Sequence, residues 1–546
     1  MQKYKNSFLF GAIILVACNL ISKIIGAIYR IPLLKILGSE GLGLYQLIFP
    51  VFALMLVVSS SGNNVAVSKF VSQQSTRYNR HNIKKYLSAG FLISFLTSLV
   101  FTVLLIIIAP LLAKYQGDSK LVICYYAILP SLILSSLLAT FKGYFLGKHK
   151  MIYTGGLQVV EQVVKLVCSL LLAGAFVKYG IIYAVFGTVL GITIAEVLSL
   201  VIAFVIYLFN KKHIFVRHNI KKYKRLKNSS IKKYKWFKSK INRNITLKTA
   251  LKQTFNFGFF VSLESCIMPL LGAIDSLTIV PLLIKSGLNN VVAYTLFGLE
   301  DGIVASLVSM PTVFATSFGQ TLIPSIKSKN IKNSSKNITE SFKIVWLIGI
   351  ACAFGFMFFA GDIINFLYAG GLSNKIVFES QIVKDLLKLN SFNIIYLSLL
   401  NLSSSILQGL EDSKTPVKNI GICAILRIFV VLSTVSIKDI NIYGTAIADM
   451  IFFSMAFLLN MRAIKKKIDI KFSVSKFFIF PIISAGIMCL TMQLFKIVLY
   501  GLISSKILTL LMGISGISVY FILLIFTKVV NIKNISQMIF KKKQKT

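Results

Sequence analysis

Apolar residues in this chain arrive in blocks of roughly 20, and only a set of membrane-crossing helices buries so many of them. The blocks lie near 7–29, 41–64, 88–113, 121–141, 155–177, 181–209, 253–284, 291–324, 342–367, 386–408, 418–437, 441–461, 477–498 and 502–527. Each suffices to span a hydrocarbon core ~30 Å thick. Of the 546 residues, 56% are hydrophobic and only 14% charged, too little charge to coat several soluble domains. The expected fold class is therefore an all-α polytopic membrane protein with about fourteen transmembrane helices. Blocks 253–284 and 291–324 exceed one crossing and contain Pro269, Pro281 and Pro311, so tilting or kinking is expected there.

The net charge of +43 is distributed by side. With the N-terminus in the cytoplasm, the cytoplasmic segments carry 45 of the 60 Lys and Arg and the outer segments 12, while Lys23, Lys165 and Arg427 lie within spans. This asymmetry is the positive-inside rule, and it predicts a multi-pass protein of the cell membrane with both termini cytoplasmic. Nucleic acid is not an expected partner. The densest basic stretch, 211–252, interleaves Lys221, Lys222, Lys224 and Arg225 with Tyr223, Leu226, Trp236 and Phe237. It reads as an interfacial segment held by anionic lipid; the plainer reading is a solvated loop that enforces topology.

Other chemistries find little support. All seven cysteines fall in the apolar blocks, so no disulfide framework is implied. The four histidines (His81, His149, His213, His218) lie in loops without Cys or carboxylate neighbours, which argues against a metal site. No P-loop motif occurs, and the outer loops leave little room for a catalytic domain, so neither enzyme activity nor a cofactor is expected. Lys3 and Lys5 before an apolar run look like a signal peptide, but no small-x-small cleavage site precedes Tyr29, so the run is expected to remain as the first helix.

The sequence also repeats itself. Ile31-Pro32-Leu33-Leu34, Gly38 and Tyr45 recur as Val280-Pro281-Leu282-Leu283, Gly287 and Tyr294, at a constant offset of 249. Lys142-Gly143 corresponds to Gln408-Gly409, Lys165 to Arg427, and Ile182-Tyr183 to Ile442-Tyr443. An even repeat of six helices preserves orientation, predicting two parallel lobes, the geometry of alternating access. The expected organisation is an N-terminal lobe at 1–210, a basic cytoplasmic linker at 211–252, a C-terminal lobe at 253–462, and a terminal helix pair with a basic tail at 463–546.

Ionisable groups at bilayer depth are costly, so each is a functional candidate. Lys23 and Arg30 are seven apart on one face of the first helix and suit a pyrophosphate or other anionic head group. The alternative has Arg30 snorkelling to the interface and Lys23 paired to a neighbour. Glu161 and Lys165 stand four apart and can pair with each other; with Arg427 they complete the candidate substrate-binding set. Glu264 and Asp275, eleven apart, and the doublet Glu300-Asp301 form a candidate coupling-ion site; the alternative makes Asp275 a cap at a helix break and puts Glu300 in a wet kink. Asp449 is a candidate partner for Arg427, and Glu196 has no evident partner.

The opening pattern Ser22-Lys23-Ile24-Ile25-Gly26, Tyr29-Arg30-Ile31-Pro32, Gly38 and Glu40-Gly41-Leu42-Gly43-Leu44-Tyr45-Gln46 resembles the stage V sporulation protein B group. So do Ile274-Asp275-Ser276, Met310-Pro311, and Leu407-Gln408-Gly409 with Lys414-Thr415-Pro416. This group sits in the polysaccharide branch of the multidrug/oligosaccharidyl-lipid/polysaccharide (MOP) exporter superfamily, beside the MurJ-type lipid II flippases. The resemblance implies a flippase for a lipid-linked sugar precursor, used in cell-wall or spore-cortex synthesis, with Lys23 at a basic position where lipid II flippases often carry arginine. It also implies departures: relatives often have Gly-Ile-Pro where this chain has Gly62-Asn63-Asn64, and residues 46–68 hold none of the arginines several flippases place there. The competing expectation on the same fold is a cation-coupled drug antiporter using the carboxylates. A membrane-embedded glycosyltransferase would need a catalytic carboxylate or histidine on a sizeable polar loop.

Overall fold

The computed structural model describes residues 2–76, 79–213, 245–316, 319, 331–368, 376–410, 412, 414–470, 473–499 and 501–530. Among these the regular secondary structure is helical, as hydropathy predicts. Twelve of the described helices are long and apolar enough to cross a membrane, and one of them, Ala17–Ser75, accounts for two expected spans. The expected tenth span lies in Ile376–Gly409, whose first half carries Glu379, Lys384, Asp385 and Lys388. The expected pair at 477–527 is also resolved into separate helices. The chain divides into two compact units, Met1–Ile284 with Asn289–Gly298, and Lys285–Leu288 with Leu299–Thr546.

The first unit contains α1 (Gln2–Thr76), α2 (Arg80–Tyr115), α3 (Leu121–Gly147), α4 (Met151–Phe176), α5 (Ile181–His213), α6 (Leu247–Ser265), α7 (Ile267–Lys285, its last residue outside this unit) and α8 (Asn290–Phe297). α1 is two helices joined end to end, broken at Gly38, whose φ of 69° and ψ of 179° lie in a region that side chains exclude. Its two halves pack on α3, α4, α6 and α2, and α5 packs on both α3 and α4. Leu33, Leu34, Leu47, Ile48, Tyr125 and Phe145 are fully buried in this unit. The long block at 253–284 is broken at Cys266, three residues before Pro269. Pro269 cannot accommodate the carbonyl four residues earlier, that of Ser265, which ends α6 there.

The second unit opens with a π-helical turn, Gly298–Val304 (only Gly298 belongs to the first unit), followed by α9 (Ala305–Ser309). It continues through α10 (Ile331–Tyr368), α11 (Ile376–Gly409), α12 (Lys414–Thr434), α13 (Tyr443–Lys467), α14 (Phe480–Leu499) and α15 (Ser505–Phe526). α11 lies between α10 and α13, α12 packs on α13, and the α14–α15 pair rests on α10. Tyr520 on α15 donates to the Leu347 carbonyl of α10 at 2.9 Å, which anchors the terminal pair. The kink expected in block 291–324 is this π turn, with the helix ending at Met310-Pro311.

The repeat is visible in the backbone. Gly38 and Gly287, matched by sequence, both have positive φ (69° and 100°), and each ends a Pro-Leu-Leu helix. The tyrosines that follow, Tyr45 and Tyr294, are both buried. The departure at Gly62-Asn63-Asn64 also has a local cause. Asn63 donates to the Gly90 carbonyl at 2.8 Å and to the Thr140 hydroxyl at 3.1 Å, tying α1 to α2 and α3. Ser59 and Ser136 share a 2.9 Å hydrogen bond in the same seam. Isoleucine at 63 would remove these ties between α1 and its neighbours.

Candidate functional site

The first-unit candidates share one band of height. A Cβ on Gly155 of α4 would meet Cys18 of α1, and a Cβ on Gly26 lies 3.8 Å from Gln162 of α4. The two contacts have nearly the same offset, so α4 runs parallel to the first half of α1. That register sets Glu161 and Lys165 level with the stretch from Lys23 to Arg30. Lys23, Gly26 and Arg30 fall on one side of the helix, and of these Gly26 lies against α4. Lys23 is exposed, with no ion pair among the described residues, while Arg30 is half-buried and engaged.

Glu161 does not pair with Lys165, as their spacing on α4 had predicted. It is bound instead by Lys142 of α3, in an ion pair whose side chains are 19% and 17% exposed. Lys165 is drawn elsewhere: its ammonium lies over the Phe49 ring of α1, 4.8 Å from the centroid. A cation on a ring face keeps its charge uncompensated, so Lys165 remains available to an anion. Lys142, which the spacing of spans had placed near a cytoplasmic loop, is thereby a buried partner that sequence reasoning missed. Its match at Gln408 carries no charge and offered no hint.

Glu196 of α5 also finds its setting here. It is 7% exposed, its neighbours are Ser135 and Lys142 of α3 with Glu161 and Lys165 of α4, and its Oε2 has no hydrogen-bond partner among the described residues.

The second unit gathers a different set. Arg427 of α12 pairs with Asp449 of α13 as expected, the two side chains being 8% and 21% exposed. Glu300, in the π turn, is 7% exposed, and its Oε1 accepts from the Thr445 hydroxyl of α13 at 3.2 Å. Its Oε2 has no partner among the described residues, and Asp301, Asp449 and Arg427 are its charged neighbours. Glu300 is thus buried. Thr445 sits one turn before Asp449, a spacing that would have flagged it as a companion of the pair.

The four proposed coupling carboxylates are divided between the two units. The break at Cys266 interrupts the periodicity that set Glu264 and Asp275 on one face, and both belong to the first unit, Glu300 and Asp301 to the second. Asp275 lies within α7, away from the break, and is engaged; the Glu264 side chain is outside the described residues. Among the described residues no three His, Cys, Asp or Glu groups converge. Most of the basic linker, 214–244, lies outside the described residues, so the anionic-lipid expectation is carried forward as a proposal.

Comparison with known proteins agrees with this architecture. The chain is 25% identical over 482 residues to stage V sporulation protein B of Bacillus subtilis (strain 168), spanning 87% of this chain and 86% of that one. A structure of the lipid II flippase MurJ in an inward closed conformation superposes with a TM-score of 0.67 at 16% identity, covering 94% of this chain and 99% of that one. An inward-facing multidrug resistance MATE family transporter of the MOP superfamily matches with a TM-score of 0.62 at 14% identity, over 84% and 98% of the two chains. The fold is that of this superfamily. The lipid II flippase MurJ family model matches residues 305–511. The polysaccharide biosynthesis protein family model matches residues 8–328, more than half of the chain, and this protein belongs to that family.

Proposed function

We propose that the protein is an alternating-access flippase that moves a lipid-linked oligosaccharide or peptidoglycan precursor from the inner to the outer leaflet, for cell-wall or spore-cortex synthesis. The observation that carries it is the cationic band of the first unit, where Lys23 has no ion pair among the described residues and the Lys165 ammonium rests on a ring, at a height on α1 between Lys23 and Arg30. Cations spaced along one band suit the charge of a pyrophosphate-linked head group. Arg30 extends the band toward one end of α1, and Arg427 is the corresponding cation of the other repeat. In the cycle the site is open first to the cytoplasm and then to the outside, while the lipid tail remains in the bilayer. Both termini face the cytoplasm, the 211–252 linker rests on anionic lipid, and no covalent step is involved. Ion or membrane-potential coupling would supply direction, with Glu300, Asp301, Asp275 and Glu264 as candidate groups.

Replacing Lys23 with Ala in cells that depend on this protein tests the reading. Outer-leaflet precursor is expected to fall several-fold at normal protein level; unchanged flipping would remove the cationic band from the mechanism. The rival reading is cation-coupled drug antiport, favoured by the buried Glu300 carboxylate. If E300Q abolished drug resistance conferred by the protein while complete loss of the protein left precursor flipping intact, the rival would stand.

A further inference from the structure

Glu196 has no role in the proposed cycle, and its setting is unusual. It is 7% exposed at the middle of α5, and its Oε2 has no hydrogen-bond partner among the described residues. The Ser135 hydroxyl beside it is buried and equally without a partner there. A carboxylate in a low-dielectric interior with one bare oxygen is costly to keep charged, and adding a proton removes that cost.

The charges around it define what such a proton would do. From α3 comes Lys142 and from α4 come Glu161 and Lys165, while α1, also packed on α5, carries Lys23 and Arg30. Lys142 and Glu161 cancel as a pair. The remaining balance lies between Lys165 and Glu196. With Glu196 ionised the group is neutral overall; with Glu196 protonated it carries one net positive charge, centred on a lysine whose ammonium rests on a ring face.

We propose that Glu196 is a proton-binding site whose occupancy sets how strongly Lys165 holds an anion in the first unit. The step is an acid–base equilibrium: one proton from water converts the Glu196 carboxylate to a carboxylic acid, and no other bond changes. By linkage, the proton and the anion each raise the affinity of the site for the other. The flippase reading enters only in choosing a pyrophosphate as the anion.

The test uses the full-length protein in nanodiscs of neutral lipid, with inorganic pyrophosphate as the probe and calorimetric titration from about pH 5.5 to about 8.5, the range into which burial moves a carboxyl group. E196Q mimics the protonated state. It is expected to bind pyrophosphate about tenfold more tightly than wild type at the alkaline end, the two converging at the acid end. Pyrophosphate's own titration cancels in that ratio. K165Q is expected to abolish the difference between the two Glu196 states, whereas K165R should keep it. A ratio of one at every pH, or a ratio unaffected by K165Q, would overturn the linkage, and so would absence of pyrophosphate binding by both folded proteins. Such a failure in a protein that still rescues precursor flipping leaves the flippase reading intact; loss of rescue with the linkage preserved does the reverse.

Discussion

Lys165 and Arg427 occupy matched positions in the two repeats, yet their surroundings are opposites. Arg427 is closed in a salt bridge with Asp449, with Glu300 and Thr445 behind it. Lys165 is left open on the Phe49 ring, while its nearest candidate partner, Glu161, is taken by Lys142. The difference follows from side-chain chemistry. A planar guanidinium rewards a fixed carboxylate partner, whereas an ammonium adapts to a ring or to any passing anion. Each half retains one buried acid with a bare oxygen, Glu196 or Glu300, but from helices that do not correspond. Duplication copied the backbone and left the charge wiring free to diverge, so that one half is locked and the other open.

The comparison can be broken most directly at the locked pair. D449L should strand Arg427 in the interior and cost about 3–5 kcal/mol, read as loss of folded protein in detergent denaturation, and R427M/D449L should recover most of it. A small single-mutant cost would mean the second cluster is as loose as the first. E161Q should cost less, about 2 kcal/mol, because Lys142 is more accessible and can turn outward. If E161Q instead matched D449L, the open-versus-locked distinction would fail. The backbone correspondence predicts penalties of about 1–3 kcal/mol for both G38A and G287A, measured the same way, since both carry positive φ with empty space around the missing Cβ. A large difference between them would limit the repeat to sequence alone.

An ion pair beyond the spans supplies the reference. Asp412 accepts from Lys467, whose side chain is 41% exposed, and from Thr415. The hydrogen bond from Lys467 holds the Asp412 carboxyl below its ordinary range. Its stabilisation is therefore present above the unfolded carboxylate range and is lost as pH falls through the lower folded value. D412N should cost no more than about 1 kcal/mol at neutral pH, with the gap to wild type closing in acid.

Much of the fold was legible because a span must be long and apolar whatever it packs against, and because a repeat leaves matched Pro-Leu-Leu and glycine positions. The break at Cys266 was signalled by Pro269. The π turn was not, since Glu300-Asp301 in an apolar run reads equally as a wet kink. At the site, spacing along α4 pointed Glu161 to Lys165, but spacing ranks only neighbours on one helix. Lys142 arrives from α3 and Phe49 from the second half of α1, and such competition is decided by tertiary packing. Glu196 was unreadable for the same reason: every group around it belongs to another helix.

Two of the tightest contacts on α1 bring main chain against main chain. Gly62 meets the Gly258 carbonyl of α6, Gly43 meets Gly298, and Ser262 accepts from the Gly62 amide at 3.1 Å. Main chain against main chain fixes the spacing of helices with only a pair of positions held to glycine. That economy offers a physical account of how a chain sharing 16% of its residues with another can trace the same path through the membrane.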